Sequence, residues 1–242
     1  MIVLSVGMPR AGSGWHYNVI HDLMAAAGAA DARDIRVKYR LQKILTEVNC
    51  NIGVLSARRL AMTTVPALMG NTFVIKAHAG PSAASRFLAA IGLMKVSYIY
   101  RDPRDAMLSA FEFGQRAIQN GRPNAFSHLT DFQKTLDFMS EYVRVWERWM
   151  GETTPLIARY EDLLLNYDAE VMRLAEYLNL DGSRPEVRAV IEKYRPEKAE
   201  GQQGLHFYKG KIGRFREAYP EDQQRIMAER FAPVLRKMRY EV

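Results

Sequence analysis

Two segments of the sequence bring anion-binding groups to the junction of a strand and a helix. The first is Gly7-Met8-Pro9-Arg10-Ala11-Gly12-Ser13-Gly14-Trp15, which follows the apolar run 2–6 and precedes a helical pattern. Small residues let backbone close around an anion, and the N–H groups of such a loop and helix start carry partial positive charge. Arg10 adds a full charge and a two-pronged donor; Ser13 adds a hydroxyl. The GxxxxGK[ST] phosphate loop is absent, which removes the Lys-Ser/Thr pair that supports Mg-nucleotide hydrolysis and phosphoryl transfer. The second segment is Arg101-Asp102-Pro103-Arg104-Asp105-Ala106-Met107-Leu108-Ser109. Arg101 closes a strand and Ser109 lies about two turns into the next helix, so both can point at one anion above the sheet edge. A guanidinium with a hydroxyl suits a phosphate monoester. The same spacing also admits an Arg101–Asp105 ion pair with Ser109 facing another helix.

Elements that position these groups alternate between strand and helix. Residues 2–6 form a short continuous apolar run suited to a central parallel strand. Trp15, Val19, Ile20, Leu23 and Met24 recur at helical spacing, and Gly28 is a stop. Residues 72–75 and 96–100 read as strands. Asp102 is an N-cap, Pro103 stands at N1 and Asp105 at N3 of a helix. Residues 132–150 are helical, 155–158 a further strand, and 168–178 and 185–194 helices. Residues 202–214 read as a basic, Gly-rich loop, and 220–238 as a terminal helix bent near Pro233. Such alternation predicts an α/β three-layer sandwich with a central parallel β-sheet flanked by helices, and ligands beyond the C-terminal strand ends. With no internal repeat and no long linker, a single domain over 1–242 is expected.

Composition narrows the partners. Of 242 residues, 48% are hydrophobic and 25% charged, a balance that excludes intrinsic disorder. The single cysteine, Cys50, excludes an intrachain disulfide framework. The N-terminal MIVLSVGMPR lacks the basic and long apolar regions of a signal peptide, and no apolar run approaches twenty residues, so a cytoplasmic protein without a transmembrane segment is expected. The net charge of +7 favours an anionic partner. No dense Lys/Arg arm and no RNA-recognition signature is present, so no nucleic-acid partner is expected, although a nucleotide- or RNA-binding module and a P-loop-like kinase remain alternatives. No HxxxH or CxxC spacing occurs, which argues against a metal.

Taken together, the motifs resemble those of the PAPS-dependent sulfotransferases. In that family the first segment commonly runs Pro-Lys-Ser-Gly-Thr-Thr-Trp, against Pro9-Arg10-Ala11-Gly12-Ser13-Gly14-Trp15 here. The family's Arg-(Asn/Asp)-Pro-(Lys/Arg)-Asp-x-x-x-Ser is matched from Arg101 to Ser109 throughout. Lys-x-His is matched by Lys76-Ala77-His78 and Tyr-Glu-Asp by Tyr160-Glu161-Asp162. The family's C-terminal Lys-Gly signature resembles Tyr208-Lys209-Gly210-Lys211-Ile212-Gly213-Arg214-Phe215.

The resemblance implies a P-loop-NTPase-like sulfotransferase fold and the cofactor 3′-phosphoadenosine 5′-phosphosulfate (PAPS; product PAP), with no metal. It implies that Arg10, Ala11, Gly12, Ser13 and Gly14 cradle the 5′-phosphosulfate and that Trp15 stacks on adenine. It further implies that Arg101 and Ser109 bind the 3′-phosphate, that Tyr160 meets the adenine edge, and that Lys209 and Gly210, with Tyr208 before them, close over the 3′-phosphate. His78 is the implied general base, since an ordinary imidazole titrates near pH 6.5 and accepts a proton at about neutral pH. Lys76 and Arg10 are the implied stabilisers of the transferring group and leaving phosphate. His16, His21, His128 and His206 have weaker cases, of which His206 abuts the cofactor loop.

Departures from the pattern matter chemically. Arg10 replaces Lys, and an always-protonated guanidinium acts as a clamp rather than an acid. Gly14 removes a hydroxyl, and Tyr208 stands where Arg is common. The adenine-side Thr-Ser-Phe has no clear counterpart, with Tyr194-Arg195-Pro196 the nearest guess, and the family's dimerisation pattern is not recognisable, which leaves the oligomeric state open. Acceptor segments are expected at 33–69 and 111–135, for a small-molecule, glycan or lipid acceptor. Phe111, Phe113, Phe126 and Phe132 either line an apolar acceptor pocket or belong to the core.

Overall fold

A computed structural model describes residues 1–199 and 210–242. Tyr208, Lys209 and His206 lie outside the described residues. Four parallel strands, β1 (Ile2–Gly7), β2 (Phe73–Ala77), β3 (Met94–Tyr100) and β4 (Leu156–Arg159), form one sheet in the order β2-β1-β3-β4. The first half of the chain adds α1 (Ser13–Ala26), α2 (Ala32–Lys38), α3 (Ala57–Leu68), α4 (Ala83–Ala90) and α5 (Pro103–Gln119). The second half adds α6 (Phe132–Glu152), α7 (Tyr160–Leu165), α8 (Tyr167–Tyr177), α9 (Pro185–Lys193), α10 (Pro196–Ala199), α11 (Phe215–Ala218) and α12 (Glu221–Leu235).

The sheet is covered on both faces, which is why β1 is buried throughout and apolar but for Ser5 and its terminal glycine. Ile2, Leu4 and Val6 belong to one core with Tyr98, Tyr100, Trp146 and Trp149. Val3, Val74 and Ile99 belong to the other, with Trp15, Ile20, Val171 and Val187 from α1, α8 and α9. Strand side chains alternate faces, so Ser5, Lys76 and Ser97 join this second face, in register across β1, β2 and β3. The two serines are satisfied by α1: the buried His16 imidazole bonds Ser5 Oγ at 3.0 Å through Nδ1 and Ser97 Oγ at 2.9 Å through Nε2. Burial and the nearby Lys76 charge hold His16 neutral, with its pKa lowered to about 3.

Strand order reverses around β1, because the chain leaves β1 for β2 on one side and returns to β3 on the other. The crevice at that reversal is where a parallel sheet binds its ligand. The segments flanking it are those that the sequence marks. Asp102 caps α5 as expected, accepting from Arg104 N at 2.9 Å, with Pro103 at the first helical position.

Candidate active site

Beyond β1 the chain makes a tight loop before α1. Arg10 has φ 63° and Gly12 φ 77°, both left-handed; the first is strained for a residue with a Cβ. Gly12 is required sterically as well, since a Cβ there would stand 2.7 Å from the Tyr160 ring. Met8 N donates to Ile99 O at 3.0 Å, hooking the loop to β3. The helix that follows has no side-chain N-cap and no acidic residue in its first turn. Its partial positive charge is therefore left for a ligand.

Beyond β2, alternation carries Lys76 and His78 to the same side of the sheet as this loop. His78 donates its Nδ1 proton to the Gly7 carbonyl oxygen at 2.6 Å; a carbonyl can only accept, so the bond fixes the tautomer and leaves the Nε2 lone pair free. Burial first, and then the Lys76 charge, lower the His78 pKa to about 4, against a smaller upward push from that bond. Lys76 is itself lowered to about 8 by burial and by the Arg10 charge. Arg10 is lowered to about 10 by burial and by Arg116 and Arg101. The Arg10 guanidinium turns toward α5, where Nε donates to Ser109 Oγ at 3.3 Å and the group lies 4.2 Å over the Phe113 ring. Neither Arg10 nor Lys76 forms an ion pair with a carboxylate among the described residues.

Beyond β3, Arg101 is buried and lies 4.5 Å over the Tyr160 ring. One nitrogen, Nη2, donates to Asp105 Oδ2 at 3.2 Å and to Lys211 O at 2.7 Å, while Nε is buried with no hydrogen-bond partner. Asp105 also accepts from Gly213 N at 2.7 Å and Phe215 N at 3.1 Å. It thereby fastens the segment around residues 210–215 to the start of α5. Arg214 pairs with Glu112, one of its bonds being 3.1 Å long.

One cleft gathers these groups. Arg10, Gly12, Ser13, Gly14 and Trp15 line it together with Lys76, His78, Arg101, Ser109, Tyr160 and Gly210. Ala11 does not line it and is fully buried in the core. Trp15 reaches the cleft only as a buried side chain, stacked on Tyr167 at 5.9 Å and donating from Nε1 to Tyr194 O at 3.0 Å. Ser109 is held by Arg10 rather than by Arg101, and the Arg101–Asp105 pair that the sequence left open does form. Phe113 and Phe126 line the cleft, whereas Phe132 packs on Tyr219 beside the core. His21 pairs with Asp22, and His128 is exposed against Phe138. Sequence reasoning missed Glu112, Lys211 and Arg214, which also line the cleft, and the fastening role of Asp105. Only the position of Lys211 between Gly210 and Gly213, and of Arg214 directly after Gly213, pointed to them.

The sulfotransferase domain family model matches residues 3–239. The chain belongs to that family. An amine sulfotransferase of Oryctolagus cuniculus is 23% identical over 103 residues, which is 41% of this chain and 34% of that protein. Sulfotransferase 6B1 of Danio rerio is 24% identical over 152 residues, 56% of this chain and 50% of that protein. The matched stretches thus span half or less of these curated relatives. Among solved structures, a mouse sulfotransferase complexed with PAP superposes with a TM-score of 0.60 at 15% identity, covering 97% of this chain and 84% of that one. Retinol dehydratase in complex with androsterone and PAP gives 0.61 at 18% identity, covering 97% and 80%. These likenesses show that the sheet and its helices adopt the P-loop-like sulfotransferase fold. No helix among the described residues is long and apolar enough to cross a membrane.

Proposed function

We propose that the chain acts as one sulfotransferase domain, moving a sulfuryl group from PAPS to an acceptor hydroxyl, with an amine as the less favoured acceptor. The observation that carries this reading is the crowding of cations in the cleft. The Arg10 charge lowers the proton affinity of Lys76, and Arg116 and Arg101 lower that of Arg10 against a smaller upward push from Glu112. Neither Arg10 nor Lys76 forms an ion pair with a carboxylate among the described residues, and Arg101 keeps a buried Nε–H unbonded. Cations held against their own repulsion are completed by a multiply charged anion. Gly12, whose left-handed φ and closeness to the Tyr160 ring leave no room for a Cβ, keeps this turn of backbone bare, which fits the close approach of a phosphate. PAP in solved relatives of the same fold supports this choice of nucleotide.

Bound PAPS supplies the sulfuryl group, and the remaining work falls to the chain. His78 accepts the acceptor's proton at Nε2, because Nδ1 is committed to Gly7. Its low pKa keeps it unprotonated over the working pH range, and neutralising Lys76 with an anion removes one cause of that lowering, so the base strengthens as the site fills. Arg10 stays charged and clamps negative charge; Lys76, with a pKa of about 8, is the readier of the two to give up a proton. Arg101, Ser109 and Tyr160 form the end assigned to the 3′-phosphate and adenine edge. Retinol and androsterone in solved relatives support a small-molecule or lipid acceptor. A cytoplasmic setting is part of the same proposal.

Thermal unfolding with PAP, AMP and ATP tests the nucleotide. PAP is expected to raise Tm well beyond the other two, and equal shifts for all three would refute the assignment. In the same preparation, His78→Ala should keep the PAP shift and lose about 10²–10⁴-fold in labelled sulfuryl transfer. Undiminished transfer would remove His78 from the mechanism.

A further inference from the structure

A second cavity opens beside the cleft, with Phe113 as the shared wall. Arg116, Ala117, Asn120, Arg122 and Asn124 line the rest of it. Two guanidiniums and two amides border the space, with no carboxylate among the described residues that line it. These walls are fixed to one another. The turn after α5 is built by Phe126 N donating to Asn124 Oδ1 at 2.8 Å and Asn124 N donating to Ser127 Oγ at 2.9 Å. Gln115 Nε2 on α5 donates to Leu129 O at 3.0 Å, drawing the turn onto the helix. Gly114 allows that approach, since a Cβ there would collide with the Phe126 carbonyl. Phe113 and Phe126 then meet edge to face at 5.6 Å.

Charge at this cavity has the same character as charge in the cleft. Arg116 is close enough to Arg10 to lower its pKa. Glu112, one turn before Arg116 on α5, pairs with Arg214. Arg116 in the last turn of α5 suits the helix dipole, but Arg122 lies beyond the helix and forms no ion pair among the described residues. Two guanidiniums border one space that no carboxylate among the described residues lines, and this matches an acidic ligand group.

We propose that this cavity anchors the acceptor, and that the acceptor carries an acidic group of its own on a flat ring. The acidic group lies against Arg116 and Arg122, and the ring runs along Phe113 toward the cleft. The inference rests on the sulfuryl-transfer reading for the placing of the hydroxyl near His78.

Calorimetric titration of the PAP-saturated protein tests it, with 4-hydroxyphenylacetate, 4-hydroxybenzenesulfonate and 4-hydroxyphenyl phosphate against neutral 4-hydroxyphenylacetamide. At least one acid should bind about tenfold tighter than the amide, the low end for a charge-assisted hydrogen bond, and the tightest names the acidic group. Arg122→Glu should abolish the preference and leave PAP affinity unchanged. An amide that binds as well as the acids, no binding by any acid, or a preference that survives Arg122→Glu would each overturn the proposal. Failure of PAP to bind the unmodified protein would strike the sulfuryl-transfer reading instead; the acid and amide titrations are then compared without PAP, so the two failures are separable.

Discussion

The two ends of the cleft hold their cations in opposite ways. At the β3 end, Arg101 is matched inside the protein by Asp105, and the same carboxylate collects two backbone N–H groups of the C-terminal segment. At the β1–β2 end, Arg10 and Lys76 sit among a hydroxyl, an aromatic ring and a neutral imidazole, and the Glu112 carboxylate that raises the proton affinity of Arg10 is itself hydrogen-bonded to Arg214. One end has an internal counter-ion and doubles as a fastener, with the Arg101 Nε–H left over for a ligand. The other is left electrostatically incomplete, and its folded state bears the cost until an anion arrives. Substitutions at the two ends should therefore move stability in opposite directions.

The largest expected effect is at the fastener. Asp105→Ala strands a buried guanidinium and two N–H groups, and should cost about 3–5 kcal/mol in urea unfolding, the scale of a broken buried ion pair. Asp105→Asn keeps an acceptor for the N–H groups and should cost less. If the alanine variant were as stable as the parent, Asp105 would not be the lock and the contrast between the two ends would fail.

How far this contrast is written in the sequence differs between its halves. The β1–β2 end is local: the loop glycines and the strand alternation that puts Lys76 and His78 on one side can both be read from neighbouring residues. That period of two puts Ser5 and Ser97 on one face, but the buried bridge of His16 between them comes from how α1 packs on the sheet. The β3 end depends on partners 108 and 110 residues apart, Asp105 with Gly213 and Phe215, and on Arg214 with Glu112. No local pattern encodes such pairings. Arg10 shows the limit most plainly: its position in the loop is legible, but its turn toward Ser109 and Phe113 follows from where α5 packs. The four phenylalanines at 111, 113, 126 and 132 are alike in sequence, and only packing assigns two to the cleft and one to the core side.

A middle-sized effect separates binding from stability. Lys76 has a folded pKa of about 8, below its ordinary 10.5, so the unfolded chain binds more protons between those values and stability rises with pH there. Below about pH 8 the penalty on the folded state is fully present. Lys76→Met should therefore stabilise the ligand-free protein at pH 7 by about 1–2 kcal/mol, an advantage that shrinks as pH climbs toward 10.5. PAP affinity should meanwhile fall roughly 10–100-fold, as for a lost charge-assisted contact. A variant that loses both stability and affinity would mean that Lys76 is a packing residue and that this end of the cleft is not incomplete.

The smallest effect is also the most direct reading of that incompleteness. In the free protein at pH 8 about half of the Lys76 population is neutral, given its pKa of about 8. A phosphate placed beside it stabilises the ammonium and raises that pKa, so binding must take a proton from solvent. The PAP phosphates are themselves fully ionised at this pH, and His78 with a pKa near 4 is neutral before and after, so neither masks the count. Calorimetry of PAP binding at pH 8 in HEPES and in Tris should show an uptake approaching about half a proton, absent at pH 8 in Lys76→Met. No uptake in the parent protein would place the anion away from Lys76, and the charge that makes the two ends differ would then have to be answered by the acceptor instead of the nucleotide.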